Sequence, residues 1–158
     1  MPNSVLRFVR LPHLLLLIWT VARFSLGLAG MPYAPRGNAM FSIVGLTLIS
    51  CLYYGALSRN VGGFDWKGTA AVGIAIGLLS QILILVATMV SYAANLNTYF
   101  LHWDALNIPE GSTPLFGQIL GTRLGGLIGG GVIAPALVAL LGRALGGLAP
   151  HGVSSRSS

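Results

Sequence analysis

The sequence predicts an all-α integral membrane protein, a bundle of four transmembrane helices with a short interfacial amphipathic segment before the last one. Of the 158 residues, 54% are hydrophobic and only 8% are charged, whereas soluble domains have about 25% charged residues. Four apolar runs approach the roughly 20 residues that a helix needs to cross a bilayer. The last run contains glycines at a four-residue spacing, which is typical of helices that pack closely in lipid.

The four spans are expected at residues 8–30, 39–57, 66–92 and 114–141. Pro32 and Pro35 lie between the first two runs, where proline ends a helix. Asp65 stands directly before the third run and is expected to cap it. Thr113 and Pro114 provide a cap and a first helical residue for the fourth.

The first run also has features of a cleavable signal peptide, which starts with basic residues and ends near small ones. Arg7 and Arg10 precede its apolar centre. Arg23 follows that centre directly, however, and this favours a helix that is retained. We expect residues 1–150 to form one transmembrane domain, followed by a serine-rich, disordered cytoplasmic tail at 151–158.

A patterned segment separates the third run from the fourth. Its apolar residues follow helical spacing: Leu96, Tyr99, Phe100, Trp103 and Leu106. Three aromatic rings on one face favour a short helix that lies in the membrane–water interface. The alternative is an ordinary loop whose aromatic side chains pack against the bundle.

The basic residues predict the orientation of the chain. Six of them lie on the side of the two termini and of the connection between spans two and three: Arg7, Arg10, Arg59, Lys67, Arg143 and Arg156. The opposite side contains only Arg36. By the positive-inside rule both termini face the cytoplasm, and we expect the plasma (inner) membrane. The net charge of +6 is scattered singly along the chain, which argues against nucleic acid as a partner.

Two arginines, Arg23 and Arg123, lie inside the predicted spans, both in the outer half of the bilayer. A charge there is costly, so such residues usually face protein or water. Gln81, Thr88 and Asn95 recur at seven-residue spacing on span three and are expected to share one helix face. If that face meets the arginines, the bundle contains a pocket for an anionic headgroup, a quinone-like molecule or a small acid.

A structural role for the arginines is the alternative. Arg23 would pair with Asp104 or Glu110 in the outer loop, while Arg123 would extend to a lipid phosphate. His102 lies near the same two acids in the sequence, which suggests an outer metal or proton site on that ground alone. No catalytic, nucleotide-binding or metal-binding motif is present, so we expect no cofactor, no metal and no catalytic residues.

Glycines define the expected helix contacts. They form a long strip on span four, Gly117, Gly121, Gly125 and Gly129, and a shorter one on span three, Gly73 and Gly77. Such strips let helix backbones approach closely, either within the bundle or between chains. We therefore favour a non-catalytic structural or accessory subunit in the lipid bilayer, as a homo-oligomer or within a larger membrane complex. Two alternatives stay open: a small carrier or binding protein that uses Arg23 and Arg123, and a membrane enzyme with an outer-face site.

Overall fold

The computed structural model describes residues 4–31 and 42–147, and within these ranges the chain is all helical, without strands. The α-helices are α1 (Val5–Phe8), α2 (Arg10–Leu28), α3 (Ile43–Leu57), α4 (Trp66–Ala93), α5 (Trp103–Leu106), α6 (Phe116–Ile128) and α7 (Ala134–Gly146). A 3₁₀ turn at Tyr99–Leu101 precedes α5, and a π-helical segment at Gly129–Ile133 joins α6 to α7. The all-α class is confirmed. The predicted stop at Pro32 and Pro35, the start of the second span at 39 and the tail at 151–158 lie outside the described residues.

Three of the described helices are long and apolar enough to cross a membrane: Arg10–Leu28, Trp66–Ala93 and the continuous helix Phe116–Gly146. At the predicted second span, α3 has 15 residues, or about 22 Å at 1.5 Å per residue. That length is below the ~30 Å of a bilayer core. Three membrane-length helices are therefore present in the described residues, and the predicted fourth crossing is not confirmed.

The first apolar run begins with a break that Pro12 explains. Ser4 caps α1 by accepting a hydrogen bond from the backbone N–H of Arg7. Proline lacks a backbone N–H, and its ring clashes with the carbonyl four residues earlier, which here belongs to Phe8. Accordingly α1 ends at Phe8 and α2 begins at Arg10.

The central helix is α4, which contacts α1, α2, α3, α6 and α7. Asp65 caps its start, as the sequence predicts, by accepting a hydrogen bond from a backbone N–H three residues later at 2.7 Å. Its buried residues, from Thr69 to Ser91, are all small or β-branched. Polar groups inside this core pair with one another, since the Thr47 hydroxyl donates to the Ser80 hydroxyl at 2.8 Å. The composition of α4 thus lets neighbouring helices approach it closely from several sides.

Small residues bring the backbones of α3 and α7 into contact. A Cβ added at Gly55 would fall on the carbonyl group of Ala139, and one added at Gly142 would fall on the carbonyl group of Leu52. Close packing of this kind stabilises helix pairs in lipid, where no hydrophobic effect drives them together. Small-residue packing therefore occurs here at positions that the predicted strips do not include.

The long C-terminal helix changes register in the segment Gly129–Ile133. Pro135 has no N–H to donate to the carbonyl of Gly131, four residues earlier. The N–H of Ala134 bonds instead to the carbonyl of Gly129, five residues earlier. A π-bulge of this type adds one residue to the helix, which rotates α7 relative to α6 by about 100°. The two halves therefore present different faces from those of an unbroken helix.

Both ends of the described chain lie at one end of the bundle. Phe8, at the end of α1, packs edge-to-face against Phe64 with ring centroids 5.3 Å apart. Arg143, near the end of α7, donates to the carbonyl oxygen of Phe64 at 2.6 Å. These contacts bring α1, the loop between α3 and α4, and the end of α7 together. The orientation of this end in a membrane stays a prediction.

The segment before α6 does not form the predicted continuous helix. It consists of the Tyr99–Leu101 turn and the single-turn helix α5. Phe100 and Leu106 are buried in the bundle, and the hydroxyl groups of Thr98 and Ser91 are hydrogen-bonded at 2.7 Å. Burial of these side chains fixes the segment against α4. The segment therefore does not continue as one regular helix. The alternative, a loop that packs its aromatic residues on the bundle, describes the structure better, and the interfacial position stays a prediction.

Helix α6 begins later than the sequence predicts. Leu115, rather than Thr113, precedes its first residue, Phe116. The Gln118 side chain accepts a hydrogen bond from the backbone N–H of Leu115 at 3.1 Å. Gln118 therefore supplies the side-chain oxygen at this helix end, which is the role of the third helical residue in a capping box.

Candidate functional site

A cavity of about 160 Å³ lies where α2, α3, α4, α6 and the Tyr99–Leu101 turn meet. We call it the arginine cavity and define it by Arg23, Gln81, Phe100 and Arg123, together with Tyr99. The two arginines lie 100 positions apart in the sequence and belong to different helices. Only the tertiary structure places them beside one cavity.

Arg23 is the most deeply buried charged residue of this cavity, with 6% of its surface exposed. Its guanidinium carbon lies 3.6 Å from the centroid of the Tyr99 ring, which is a cation–π contact. A desolvated contact of this kind is worth about 2 kcal/mol, and it offsets part of the cost of a charge inside a bilayer. Tyr99 therefore stabilises Arg23 in a position that a lone arginine would avoid.

Arg123 reaches the same turn from α6. Its Nη2 donates a hydrogen bond to the carbonyl oxygen of Phe100 at 2.8 Å, and its side chain is half-buried. Its Nε is buried and has no hydrogen-bond partner among the described residues. Arg123 is thus connected to this turn by a hydrogen bond, and the alternative in which it extends to a lipid phosphate stays a prediction. Tyr99 and Phe100 are neighbours in one turn, and Tyr99 contacts Arg23 while Phe100 contacts Arg123.

Gln81 of α4 also lines the arginine cavity. Two glycines on the long C-terminal helix make room for its amide group. A Cβ added at Gly126 would lie 3.0 Å from Gln81 Oε1, and one added at Gly130 would lie 2.7 Å from Gln81 Nε2. These two glycines are outside both predicted strips, and their role depends on a side chain from another helix.

The start of α3 forms one side of the cavity. Ser42, Ile43 and Val44 line it, and the Ser42 hydroxyl accepts a hydrogen bond from the backbone N–H of Gly45 at 3.1 Å. The first N–H groups of a helix have no partner within the helix and create a partial positive charge. Two arginine side chains and a helix N-terminus therefore lie beside this cavity.

The polar stripe predicted on α4 does not face the arginine cavity as a unit. Thr88 is fully buried, and its hydroxyl donates to the carbonyl oxygen of Ile84 at 2.7 Å. Asn95 lies beyond the end of α4 in a left-handed conformation, with φ of 51°. It lines a neighbouring cavity of about 430 Å³ that Arg23 also lines. Of the three residues, Gln81 alone lines the arginine cavity, because Thr88 bonds within its own helix and α4 ends before Asn95.

The acidic residues proposed as partners of the arginines lie outside these cavities. Asp104 on α5 and Glu110 in the next loop are both exposed. Neither is part of the lining of the arginine cavity or of its neighbour. In residues 4–31 and 42–147 no three His, Cys, Asp or Glu side chains are grouped to hold a metal ion. An outer metal site that includes His102 therefore has no support in this part of the chain.

The two predicted glycine strips have different surroundings. A Cβ added at Gly73 would meet the carbonyl of Pro135, and one added at Gly77 would meet the ring of the same proline. The long strip differs, since a Cβ would have no described residue within 4 Å at any of its members: Gly117, Gly121, Gly125 and Gly129. The α4 glycines are therefore used for packing within the chain, and they are not available to hold a second one.

Arg143 has a structural role that the sequence does not indicate. Its Nη1 donates to the carbonyl oxygen of Phe64 at 2.6 Å and to the Thr69 hydroxyl at 2.9 Å. Its guanidinium carbon lies 4.9 Å from the centroid of the Trp66 ring. Arg143 thus connects α7 to the start of α4. No sequence signal reveals this role, because its main acceptor is a backbone carbonyl, which every residue has.

Comparisons of this chain with protein-family models, with curated proteins and with solved structures gave no match. The geometry of the chain is therefore the basis for assigning a function.

Proposed function

We propose that this protein is a non-catalytic membrane subunit that binds another transmembrane helix along the glycine strip of α6. The observation that supports this proposal is the open space beside all four glycines, Gly117 to Gly129, in the described chain. Glycine costs a helix about 1 kcal/mol relative to alanine. A partner helix that approaches closely would offset that cost through backbone packing.

The surroundings of the strip suit an apolar partner. Leu120, Leu124 and Ile128 are exposed on α6 beside it, and Ile119 is the one fully buried residue of this helix. α6 is therefore apolar and has few buried contacts with its own bundle. The occupant that fits this face is a transmembrane helix, from a second copy or from a different protein.

The proposed arrangement in the membrane has four crossings, with α3 as the short one, and both termini in the cytoplasm of a plasma (inner) membrane. An even number of crossings agrees with the shared location of the two ends of the described chain. The basic residues Arg7, Arg10, Arg59 and Lys67 are exposed, as cytoplasmic anchors would be.

Green fluorescent protein fused after residue 158 is expected to fluoresce in cells, whereas alkaline phosphatase at that position is expected to be inactive. The reverse result would exclude this orientation.

The variant Gly121→Leu tests the docking face. Leucine at the centre of the strip keeps α6 apolar and helical but prevents a second backbone from approaching. The experiment is native mass spectrometry of protein extracted gently from its own membranes. We expect a stoichiometric partner with the wild-type chain and loss of that partner with Gly121→Leu.

Val86→Leu is the matched control, because Val86 is exposed on α4 and the change adds bulk to an apolar face outside α6. It should retain the partner. A partner with the mass of this chain would identify a homo-oligomer, and a different mass would identify an accessory subunit. A monomer from wild-type membranes, or equal retention by Gly121→Leu, would refute the proposal.

Ligand binding is a second candidate function, and the convergence of Arg23 and Arg123 on one cavity favours it. A small carrier or binding protein for an anionic or lipid-like molecule would use that cavity. An enzyme acting at the outer face is the third possibility, and no observation in the described residues favours it.

A further inference from the structure

We propose that a groove between α3 and α7 binds a phospholipid with an anionic headgroup. This α3–α7 groove has a volume of about 440 Å³, within the roughly 300–1,000 Å³ of sites for small organic ligands. It adjoins a basic cleft lined by Arg59, Asn60 and Arg143, and the two linings share Ala56 and Gly146. An anionic phospholipid has a matching profile, with hydrocarbon chains next to a charged headgroup. The site shares only the bilayer with the α6 docking face and needs no partner helix.

Small residues create the α3–α7 groove. Gly142 and Gly146 let α7 approach α3, since a Cβ added at these positions would meet the backbone of Leu52 and of Ala56, respectively. The walls are larger side chains with about half or more of their surface exposed: Ile49, Tyr53 and Leu145. Apart from the Tyr53 hydroxyl, the lining side chains have no polar atom. Such a surface gains many weak van der Waals contacts from a hydrocarbon chain.

The groove runs along α3 toward the end of the bundle where a lipid headgroup would lie. From Ile49 to Ala56 the helix rises by about 10 Å, and Arg59 of the basic cleft follows Ala56 by three positions. Trp66, which is 56% exposed, lies at this same end, with its ring centroid 4.9 Å from the Arg143 guanidinium carbon. Exposed tryptophan rings favour the headgroup level of a membrane. The basic cleft is therefore at the depth of a lipid phosphate, and the groove is at the depth of its acyl chains.

The charge at this end of the bundle favours an anionic headgroup over a zwitterionic one. Its basic residues are Arg7, Arg10, Arg59, Lys67 and Arg143. Asp65 is the one acidic residue there in the described part of the chain, and its carboxylate caps α4. The hydrogen bonds of Arg143 with described residues all leave from Nη1, and none leaves from Nε or Nη2. A phosphate in the basic cleft would accept charge-assisted hydrogen bonds from those two nitrogen atoms.

Native mass spectrometry with two lipids of identical acyl chains tests the proposal. The purified full-length protein is titrated with phosphatidylglycerol, which is anionic, and with phosphatidylcholine, which is zwitterionic. We expect one phosphatidylglycerol molecule to bind about fivefold or more tightly than phosphatidylcholine, because each basic residue beside an anionic headgroup contributes roughly that factor. Equal affinities for the two lipids, or binding of neither, would overturn the proposal.

Arg59→Gln shows whether the basic cleft selects the headgroup. Arg59 is exposed, so the variant should fold like the wild type. It is expected to bind phosphatidylglycerol about fivefold more weakly and phosphatidylcholine as before. Arg10→Gln is the matched control, because it removes one exposed charge from the same end of the bundle but lines neither the groove nor the cleft. Equal losses in both variants would indicate general attraction of anions and would refute the site.

Leu145→Trp tests the α3–α7 groove itself. Leu145 is 49% exposed, so an indole ring can lie in the groove without entering the core, and binding of both lipids should be lost. Leu141→Trp is the matched control on α7, since Leu141 is 54% exposed and does not line the groove. Wild-type lipid binding by Leu145→Trp would exclude the groove. Loss of a protein complex in Leu145→Trp with unchanged lipid binding would assign the groove to a partner helix and refute the proposal.

Discussion

Gly55→Ala and Gly142→Ala are each expected to lower the free energy of unfolding by about 3 kcal/mol, the upper range for overpacking a core. The added Cβ would fall on a backbone carbonyl of the facing helix, that of Ala139 or that of Leu52. A backbone group cannot rotate away as a side chain can. The two helices α3 and α7 must therefore move apart, and their contact through small residues is lost.

Maleimide labelling of the single cysteine measures this loss. Cys51 lies on α3, is fully buried, and its sulfur is 3.8 Å from the carbonyl oxygen of Gly73. Unfolding of the bundle exposes the thiol, so the destabilised variants should be labelled at lower concentrations of dodecyl sulfate than the wild type. Gly45→Ala is the matched control on the same helix, because its nearest described neighbour is the Ser42 side chain at 3.4 Å. Wild-type labelling of Gly55→Ala would contradict the close contact between α3 and α7.

Arg143→Met is expected to destabilise the protein by about 2–3 kcal/mol, because two acceptors lose a charged hydrogen-bond donor. The acceptors are the carbonyl oxygen of Phe64 and the hydroxyl of Thr69. Methionine keeps an unbranched side chain, so the change removes the guanidinium and leaves much of the packing. Arg143→Lys should be intermediate, since an ammonium group lacks the planar arrangement of donors.

Arg59→Met is the control for this prediction. Arg59 is exposed in the loop between α3 and α4, which also contains Phe64. Its replacement by methionine removes one positive charge, as Arg143→Met does. Surface changes of this type usually alter stability by less than about 0.5 kcal/mol. Unfolding followed by Cys51 labelling compares the variants. If Arg143→Met and Arg59→Met unfold alike, the hydrogen bonds of Arg143 do not stabilise the bundle.

Local features of the sequence predicted the all-α class and the start of one helix. Apolar composition indicated membrane helices, and the start of the central helix α4 follows from Asp65 as its cap. Composition and capping are properties of short stretches, so they can be recognised without knowledge of neighbouring helices. The segment at Tyr99–Leu101 shows the limit of this reasoning, because burial of Phe100 against the bundle interrupts the helical period that its sequence suggests.

The arginine cavity could be predicted in part. Arg23, Arg123 and Gln81 were recognisable as polar residues within apolar runs, and all three line it. The contribution of the α3 N-terminus was not predictable, because it depends on where that helix begins relative to α4. Thr88 was recognisable in the same way, but it does not line the cavity. Its hydroxyl donates a hydrogen bond to the backbone of its own helix.

The glycine positions separate what the sequence determined from what the tertiary structure decided. The sequence determined that the last helix is rich in small residues suited to close packing. On an unbroken helix Gly121 and Ala139 would share one face, because their separation of 18 positions corresponds to five turns of 3.6 residues. Pro135 and the π-bulge before it add a residue, so Ala139 packs on Gly55 while Gly121 stays open. Which glycines join helices within this chain was therefore decided by one backbone hydrogen bond that proline cannot make.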